Sequence, residues 1–259
     1  MYLYPHDLDL LVYASQLLQA QAMQYGVEHW RRYRGRCMGA VIWQLNDCWP
    51  VASWASIDYY GRWKALHYYA KRFFAPVLIS CHEEGVLSQD TNVNAEPFAL
   101  KKSARLNVSN ETRQVFRGTA EWSLRRSDAS VIAEGAFPVS VPALSACWLP
   151  EQDFSDQDTY GCYFAYALYD EAGRQVGEGS VLFCAPKHFR FADPRLTVRL
   201  EGDELVVRAA AYARSVELRC GADVVLEDNF FDMNGGERRI RVLRGTPKEP
   251  TARSVYDIR

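Results

Sequence analysis

Apolar residues recur at helical spacing near the start of the chain, and alternate with polar ones after residue 76. Between Asp9 and Arg34 the positions Leu10, Leu11, Ala14, Leu17, Leu18, Ala22 and Tyr25 form a helical stripe. Asp7 or Asp9 can cap its start, while Arg31, Arg32 and Arg34 suit its carbonyl end and Gly35 can close it. The run CMGAVIWQL, residues 37–45, is almost continuously apolar and predicts a strand covered on both faces, ended by polar Asn46 and Asp47. After a long loop, Trp63, Leu66, Tyr69, Ala70 and Phe73 predict a second helix over residues 62–74, and Pro76 blocks its continuation.

Beyond Pro76 the period becomes two. Strands are predicted over residues 77–80, 104–110, 117–126, 163–170 and 180–185, with a turn at Asp170-Glu171-Ala172-Gly173. A second β set starts near Lys187 and comprises RLTVRL, ELVVRAAA, SVELRC, VVLED and RRIRVL, with turns expected at Glu201-Gly202-Asp203 and Asn234-Gly235-Gly236. Tyr160, Tyr163, Phe164, Tyr166 and Tyr169 divide between the two faces of one strand, which reads as core packing rather than a sugar-binding face.

The 259 residues are 48% hydrophobic and 24% charged, a globular composition. A formal net charge of −2 argues against a nucleic-acid module held by a basic face. No leader-like start and no long apolar run supports a secretory or membrane reading. Seven scattered cysteines without a C-x-x-C pair read as reduced thiols, which favours the cytoplasm, with periplasmic, secreted and lysosomal settings left open. Two sequons, at Asn107 and Asn110, are the counter-signal. The histidines are dispersed, and Cys81 and His82 would point to opposite strand faces, so no metal site is expected; nor is any cofactor motif present.

Five of the seven tryptophans fall within the first 63 residues. Candidate chemistry concentrates there, in residues 43–74. An indole at Trp43, near the carboxyl end of a strand, can stack on the apolar face of a sugar ring. Asn46 and Asp47 just beyond can hydrogen-bond vicinal hydroxyls, an arrangement barrel enzymes place at strand ends. The competing reading is that Trp43, Trp49, Trp54 and Trp63 are packing residues between a strand and its helix.

Three blocks carry a family resemblance: QLLQAQAMQYGVEHWRR (16–32), GAVIWQLNDCWPVASWASIDYYGRWKALHYYAKRFFAPV (39–77) and DNFFDMNGGERRIRV (228–242). Together they resemble the end of the catalytic barrel and the following domains of the β-mannosidases of glycoside hydrolase family 2. The resemblance implies a mainly β chain. Residues 1–78 would be a helix–strand–helix remnant of a (β/α)8 barrel, residues 79–186 an immunoglobulin-like antiparallel β-sandwich, and residues 187–259 a second, smaller one. It implies a retaining exo-β-mannosidase as parent, acting on mannose-containing oligosaccharides, with Trp43 as the platform of the −1 sugar subsite. Asn46 and Asp47 would border that subsite or anchor the loop, and Trp54 would line the cleft or pack beneath it.

Retaining enzymes of this kind use two carboxylates about 5 to 5.5 Å apart. By the resemblance both glutamates lie on earlier barrel strands, outside this chain. Asp7, Asp9, Glu28, Asp47 and Asp58 are the acids of the first 78 residues, and none sits in the family's catalytic motifs. Glu28 reads as solvated or capping, and Asp58 as a cap or a partner of Arg62 or Lys64. The isolated chain is therefore expected to be inactive. A noncatalytic module for glycan binding or oligomer contacts is the alternative, and homo-oligomerisation stays open. Because a remnant cannot close a barrel, residues 1–78 are expected to rest on the first sandwich or on a second copy.

Overall fold

The computed structural model describes residues 1–89 and 99–258. It divides into two compact units. The first comprises residue 1 with Glu28–Met38 and Phe74–Arg190; the second comprises Tyr2–Val27, Gly39–Phe73 and Phe191–Arg259.

The first unit is an antiparallel sandwich. One sheet has the order β1 (Val77–Glu84), β2 (Ser103–Asn110), β5 (Ser145–Trp148), with the short β6 (Gln152–Asp153) also on β2. The other runs β4 (Val131–Val141), β3 (Phe116–Arg126), β7 (Cys162–Asp170), β8 (Gln175–Leu182). Alternation along the strands sends Ile79, Leu106, Val108, Leu124, Phe164 and Leu168 into one core. There Trp122, Phe154, Phe164 and Phe183 form a chain of ring contacts 5.7 to 6.0 Å apart. Phe164 and Tyr166 belong to this core and Tyr163 is buried on the other face against Phe189, so aromatic packing holds for this strand.

β4 was not legible because Gly135 and Pro138 interrupt its pattern. It is an edge strand, where a proline is tolerated. Gly135 lies where a Cβ would come within 2.8 Å of the Trp122 indole. β1 extends beyond the predicted residues 77–80 through Glu83 and Glu84, and Glu84 pairs with Lys101.

The opposite face of β1 and β2 carries Ser80, Asn107 and Ser109, all fully buried. The end of the first helix covers them: Ser109 Oγ donates to Arg31 O at 3.2 Å, and the Arg32 guanidinium donates to Cys81 O at 3.0 Å. Glu28 is correspondingly buried, 3.6 Å from Arg32, so it is neither solvated nor a cap. Both sequon asparagines are buried too. Asn110 Nδ2 donates to the carbonyls of Gln114, Val141 and Pro142, which withdraws that amide from modification in the folded chain.

The second unit combines two helices with an antiparallel sheet. α1 is Leu8–Arg32, contributing its residues up to Val27 here, and α2 is Ala65–Phe73. Asp7, not Asp9, caps α1 by accepting from Leu10 N–H at 2.7 Å. Asp9 instead binds Arg219 and Arg253 at 2.9 and 2.6 Å. The sheet contains β9 (Thr197–Glu201), β10 (Glu204–Arg219), β11 (Val225–Leu226), β12 (Phe231–Arg244) and β13 (Thr251–Arg253).

Two predicted strands, ELVVRAAA and SVELRC, are one strand, β10, which pairs with β9 at its start and β13 at its end. Asn234-Gly235-Gly236 is not a turn but lies inside β12. Both glycines have positive φ, +75° and +80°, opposite a register shift between Ala209 and Tyr212. A bulge needs the same conformational freedom as a turn, so the sequence signal was correct and its reading was not.

The two helices share a core with the end of the chain. Leu10, Tyr13, Leu17, Leu66 and Phe73 pack with Phe230, Val255 and Ile258. Tyr13 Oη donates to Ser215 O at 2.6 Å, and Arg72 donates to Asp228 and to the carbonyls of Asn229 and Phe230. For residues 2–27 and 39–73 the expectation of resting on the first sandwich is thus overturned. They belong with residues 191–259, because Phe230 and its neighbours supply the apolar surface that α1 and α2 bury. No helix among the described residues is long and apolar enough to cross a membrane.

Candidate functional site

Residues 37–45, predicted as a buried strand, join no sheet ladder among the described residues. Their alternation is nevertheless that of a strand. Ala40 and Ile42 pack on the helical core, while Val41, Trp43 and Leu45 are 96%, 72% and 61% exposed. The Trp43–Gln44 peptide is cis.

The loop that follows folds back on this segment. Ser56 N–H donates to Gln44 O at 3.1 Å, Ile57 N–H to Leu45 O at 2.8 Å, and Asp47 N–H to Ile57 O at 3.1 Å. Ile57 thereby bridges Asn46 on one side and Trp63 on the other.

Asp47 is only 5% exposed. Oδ1 accepts from Ser53 Oγ at 2.6 Å, and Oδ2 faces Lys64 Nζ at 3.4 Å. Lys64 Nζ also donates to Ser53 O at 3.3 Å, so one buried carboxylate pins both ends of the loop. Ser56 Oγ donates to Leu45 O at 3.0 Å and lies 3.2 Å from His67 Nδ1. Burial pushes the His67 imidazole below its ordinary pKa, favouring the neutral ring.

The four candidate residues therefore divide. Trp43, Asn46 and Trp54 face outward, whereas Asp47 is turned inward. Asn46 Nδ2 makes a 3.2 Å bond to Asp47 O, which leaves its Oδ1 directed away from that contact. Trp54 presents its ring while its carbonyl accepts from Gln19 Nε2 at 2.8 Å. Trp49 is also exposed. Asp58 does not cap α2. It accepts from Tyr60 and Arg62 N–H at 2.9 Å and from Arg62 Nε at 2.5 Å. Burial alone would raise its pKa, and these bonds from Arg62 and Tyr60 hold it below the usual carboxylate value.

Ser53, Ser56 and His67 were not singled out from sequence, and Lys64, offered there as a partner of Asp58, faces Asp47 instead. Isolated serines and a lysine carry no motif, and their role arises from loop closure alone. Each acid of residues 1–78 has a structural partner: Asp7 the helix start, Asp9 two arginines, Glu28 Arg32, Asp47 Ser53 and Lys64, Asp58 Arg62. This arrangement can present aromatic faces and an amide, the surfaces that bind a sugar ring. It offers no pair of free carboxylates among these five acids.

The sequence matches two domain families, a mannosidase Ig/CBM-like domain over residues 102–188 and an Ig-fold domain over residues 191–258. It is 47% identical over 83 residues to the β-mannosidase of Mus musculus, a match spanning 29% of this chain and 9% of that protein. It is 30% identical over 276 residues to β-mannosidase B of Thermothelomyces thermophilus, spanning 97% of this chain and 32% of the relative. The crystal structure of a β-D-mannosidase from Dictyoglomus thermophilum has the same fold, with a TM-score of 0.80 and 24% identity over 98% of this chain and 30% of that one. The chain thus spans no more than about a third of these relatives. Two adjoining Ig-type domains, preceded by helices and an aromatic loop, thus align the chain with the carboxyl-terminal portion of the β-mannosidases of glycoside hydrolase family 2.

Proposed function

We propose that this chain supplies one wall of the sugar site of a retaining exo-β-mannosidase. Exposure of Trp43 at the end of a strand-like segment carries the reading. Trp49 and Trp54 of the same loop are exposed with it, and exposed apolar patches mark ligand or partner sites. In the proposed role Trp43 stacks on the terminal mannose, Asn46 hydrogen-bonds a ring hydroxyl and Trp54 flanks the approaching oligosaccharide. Asp47 positions them from beneath through Ser53 and Lys64 rather than touching sugar. The acid/base and nucleophile glutamates come from earlier barrel strands of the parent. The division into a barrel remnant (1–78), a first sandwich (79–186) and a second (187–259) belongs to the same proposal. The seven free thiols favour a reducing compartment such as the cytoplasm.

Release of chromophore from an aryl β-mannoside is the test. This chain alone releases none, and the parent polypeptide does so with loss of activity in Trp43→Ala. Turnover by the isolated chain at the parent's rate overturns the proposal. Saturable mannose binding by the chain, unchanged in Trp43→Ala, favours the noncatalytic glycan module instead.

A further inference from the structure

The bulge of β12 at Asn234-Gly235-Gly236 sets an exposed side-chain amide beside a glycine that lies outside the ladder register. Asn234 pairs with Tyr212 and Gly236 with Ala209, and Gly235 between them has no register partner. On the facing strand Ala210 N–H turns away and donates to Pro194 O at 2.7 Å. Gly235 has a φ of +75° and no Cβ, so its amide nitrogen is uncrowded by a side chain of its own. The Asn234 side chain is exposed and makes no hydrogen bond among the described residues. The other described asparagines are held. Nδ2 donates to Asp47 O in Asn46, to three carbonyls in Asn110 and to Leu218 O in Asn229, while Asn107 is fully buried and accepts from Ser109 Oγ. Each of these four is followed by a residue that carries a side chain, namely Asp47, Val108, Glu111 or Phe230.

We propose that Asn234 is a site of spontaneous covalent modification, an asparagine that cyclises to a succinimide within the folded bulge. The nucleophile is the Gly235 backbone nitrogen, and water is the co-reactant. The nitrogen gives up its proton and its electron pair forms a bond to Asn234 Cγ, closing a five-membered ring. The Cγ–Nδ2 bond breaks, and Nδ2 leaves with that proton as ammonia. Water then opens the imide. Opening at Cγ restores the original main chain with aspartate at 234, and opening at the α-carbonyl carbon routes the main chain through Cγ as isoaspartate. Nothing is oxidised or reduced. The bulge favours the attack because residue 235 already lies outside the pairing and glycine tolerates the turn of backbone it requires. Isoaspartate lengthens the main chain of β12 by one atom beside Tyr212, which is fully buried and stacked on Phe191 at 6.0 Å. The modified form therefore has a weaker β10–β12 pair.

Incubation of the folded chain in mildly alkaline buffer made with heavy-oxygen water, followed by peptide mass spectrometry, tests the assignment. Ammonia is expected to be released, and Asn234 to become a mixture of aspartate and isoaspartate that carries the heavy oxygen. Asn46, also exposed, keeps its amide. The folded chain converts within about tenfold of the rate of the same chain in urea, because no opening of the ladder has to precede the attack. Gly235→Ala, compared with the parent sequence in urea so that its own folding does not matter, slows conversion more than about tenfold by placing a Cβ beside the nucleophile. Conversion only after unfolding, loss at Asn46 in step with loss at Asn234, or equal rates for the two sequences in urea overturns the proposal. The isoaspartyl fraction, separated by its added negative charge, unfolds at lower urea concentration than the unmodified chain. Equal midpoints overturn the weakening of the β10–β12 pair.

Discussion

β7 and residues 39–45 are both short, aromatic, almost wholly apolar runs, and they have opposite fates. β7 pairs with β3 on one edge and β8 on the other, and its faces are closed by Trp122 and Phe154 on one side and Phe189 on the other. The segment ending at Trp43 has the same alternation, yet it packs through Ala40 and Ile42 and forms no ladder among the described residues. Hydrophobic patterning therefore specifies which side of a strand is to be buried. Whether burial happens depends on neighbours that the local sequence does not contain.

The comparison breaks most visibly through paired truncations. Phe164→Ala, in the closed core, is expected to cost about 3–5 kcal/mol in denaturant unfolding. Trp43→Ala removes a larger ring and is expected to change the stability of this chain by no more than about 0.5 kcal/mol. Comparable losses at the two sites would mean that Trp43 is a packing residue after all.

Density around β7 can be probed from the opposite direction. A Cβ at Gly118 would lie 1.9 Å from Tyr169 O, so Gly118→Ala forces β3 and β7 apart and should destabilise by about 1–3 kcal/mol. A neutral result in thermal unfolding would show that the pair is looser than its register implies.

On the open side, order comes from polar pins. Asp47→Ala deprives Ser53 and the partly buried Lys64 of their acceptor, at an expected cost of about 1–3 kcal/mol. Limited proteolysis should locate the damage between residues 47 and 58. Retained protection of that loop would refute the role given to Asp47.

The smallest effect is a pH dependence at His67. Its folded pKa lies below the unfolded value of about 6.5, so the stability it contributes is present above that pH and lost as pH falls through the folded value. The unfolding midpoint should decline on acidification below about pH 6.5, and decline less in His67→Gln. Identical pH profiles for the two proteins would remove His67 from the pins.

Much of the sandwich was legible because its signals are local. The strands around 104–110, 117–126 and 163–170 follow alternation, and Gly173 and Gly202 mark the hairpins with positive φ. β4 escaped because Gly135 and Pro138 answer to Trp122 and to an edge position, neither of which is encoded nearby. At the candidate site Trp43, Asn46 and Trp54 could be named from residue type and place, and the structure turns all three outward. Asp47 looked equivalent to Asn46 beside it. Only the return of Ser53 and Lys64 through space separates the two.

By itself, then, the sequence determined two amphipathic helices, an alternating β region and the mannosidase resemblance, all of which depend on spacing along a few turns or strands. Tertiary structure decided that α1 and α2 share their core with Phe230, Val255 and Ile258, that Glu28 and Asp47 are buried, and that a strand-like segment joins no sheet among the described residues. The physical reason is the range of the interactions. Periodicity is set by backbone geometry within one element, whereas burial, ion pairing and ladder formation require a partner whose position along the chain is arbitrary.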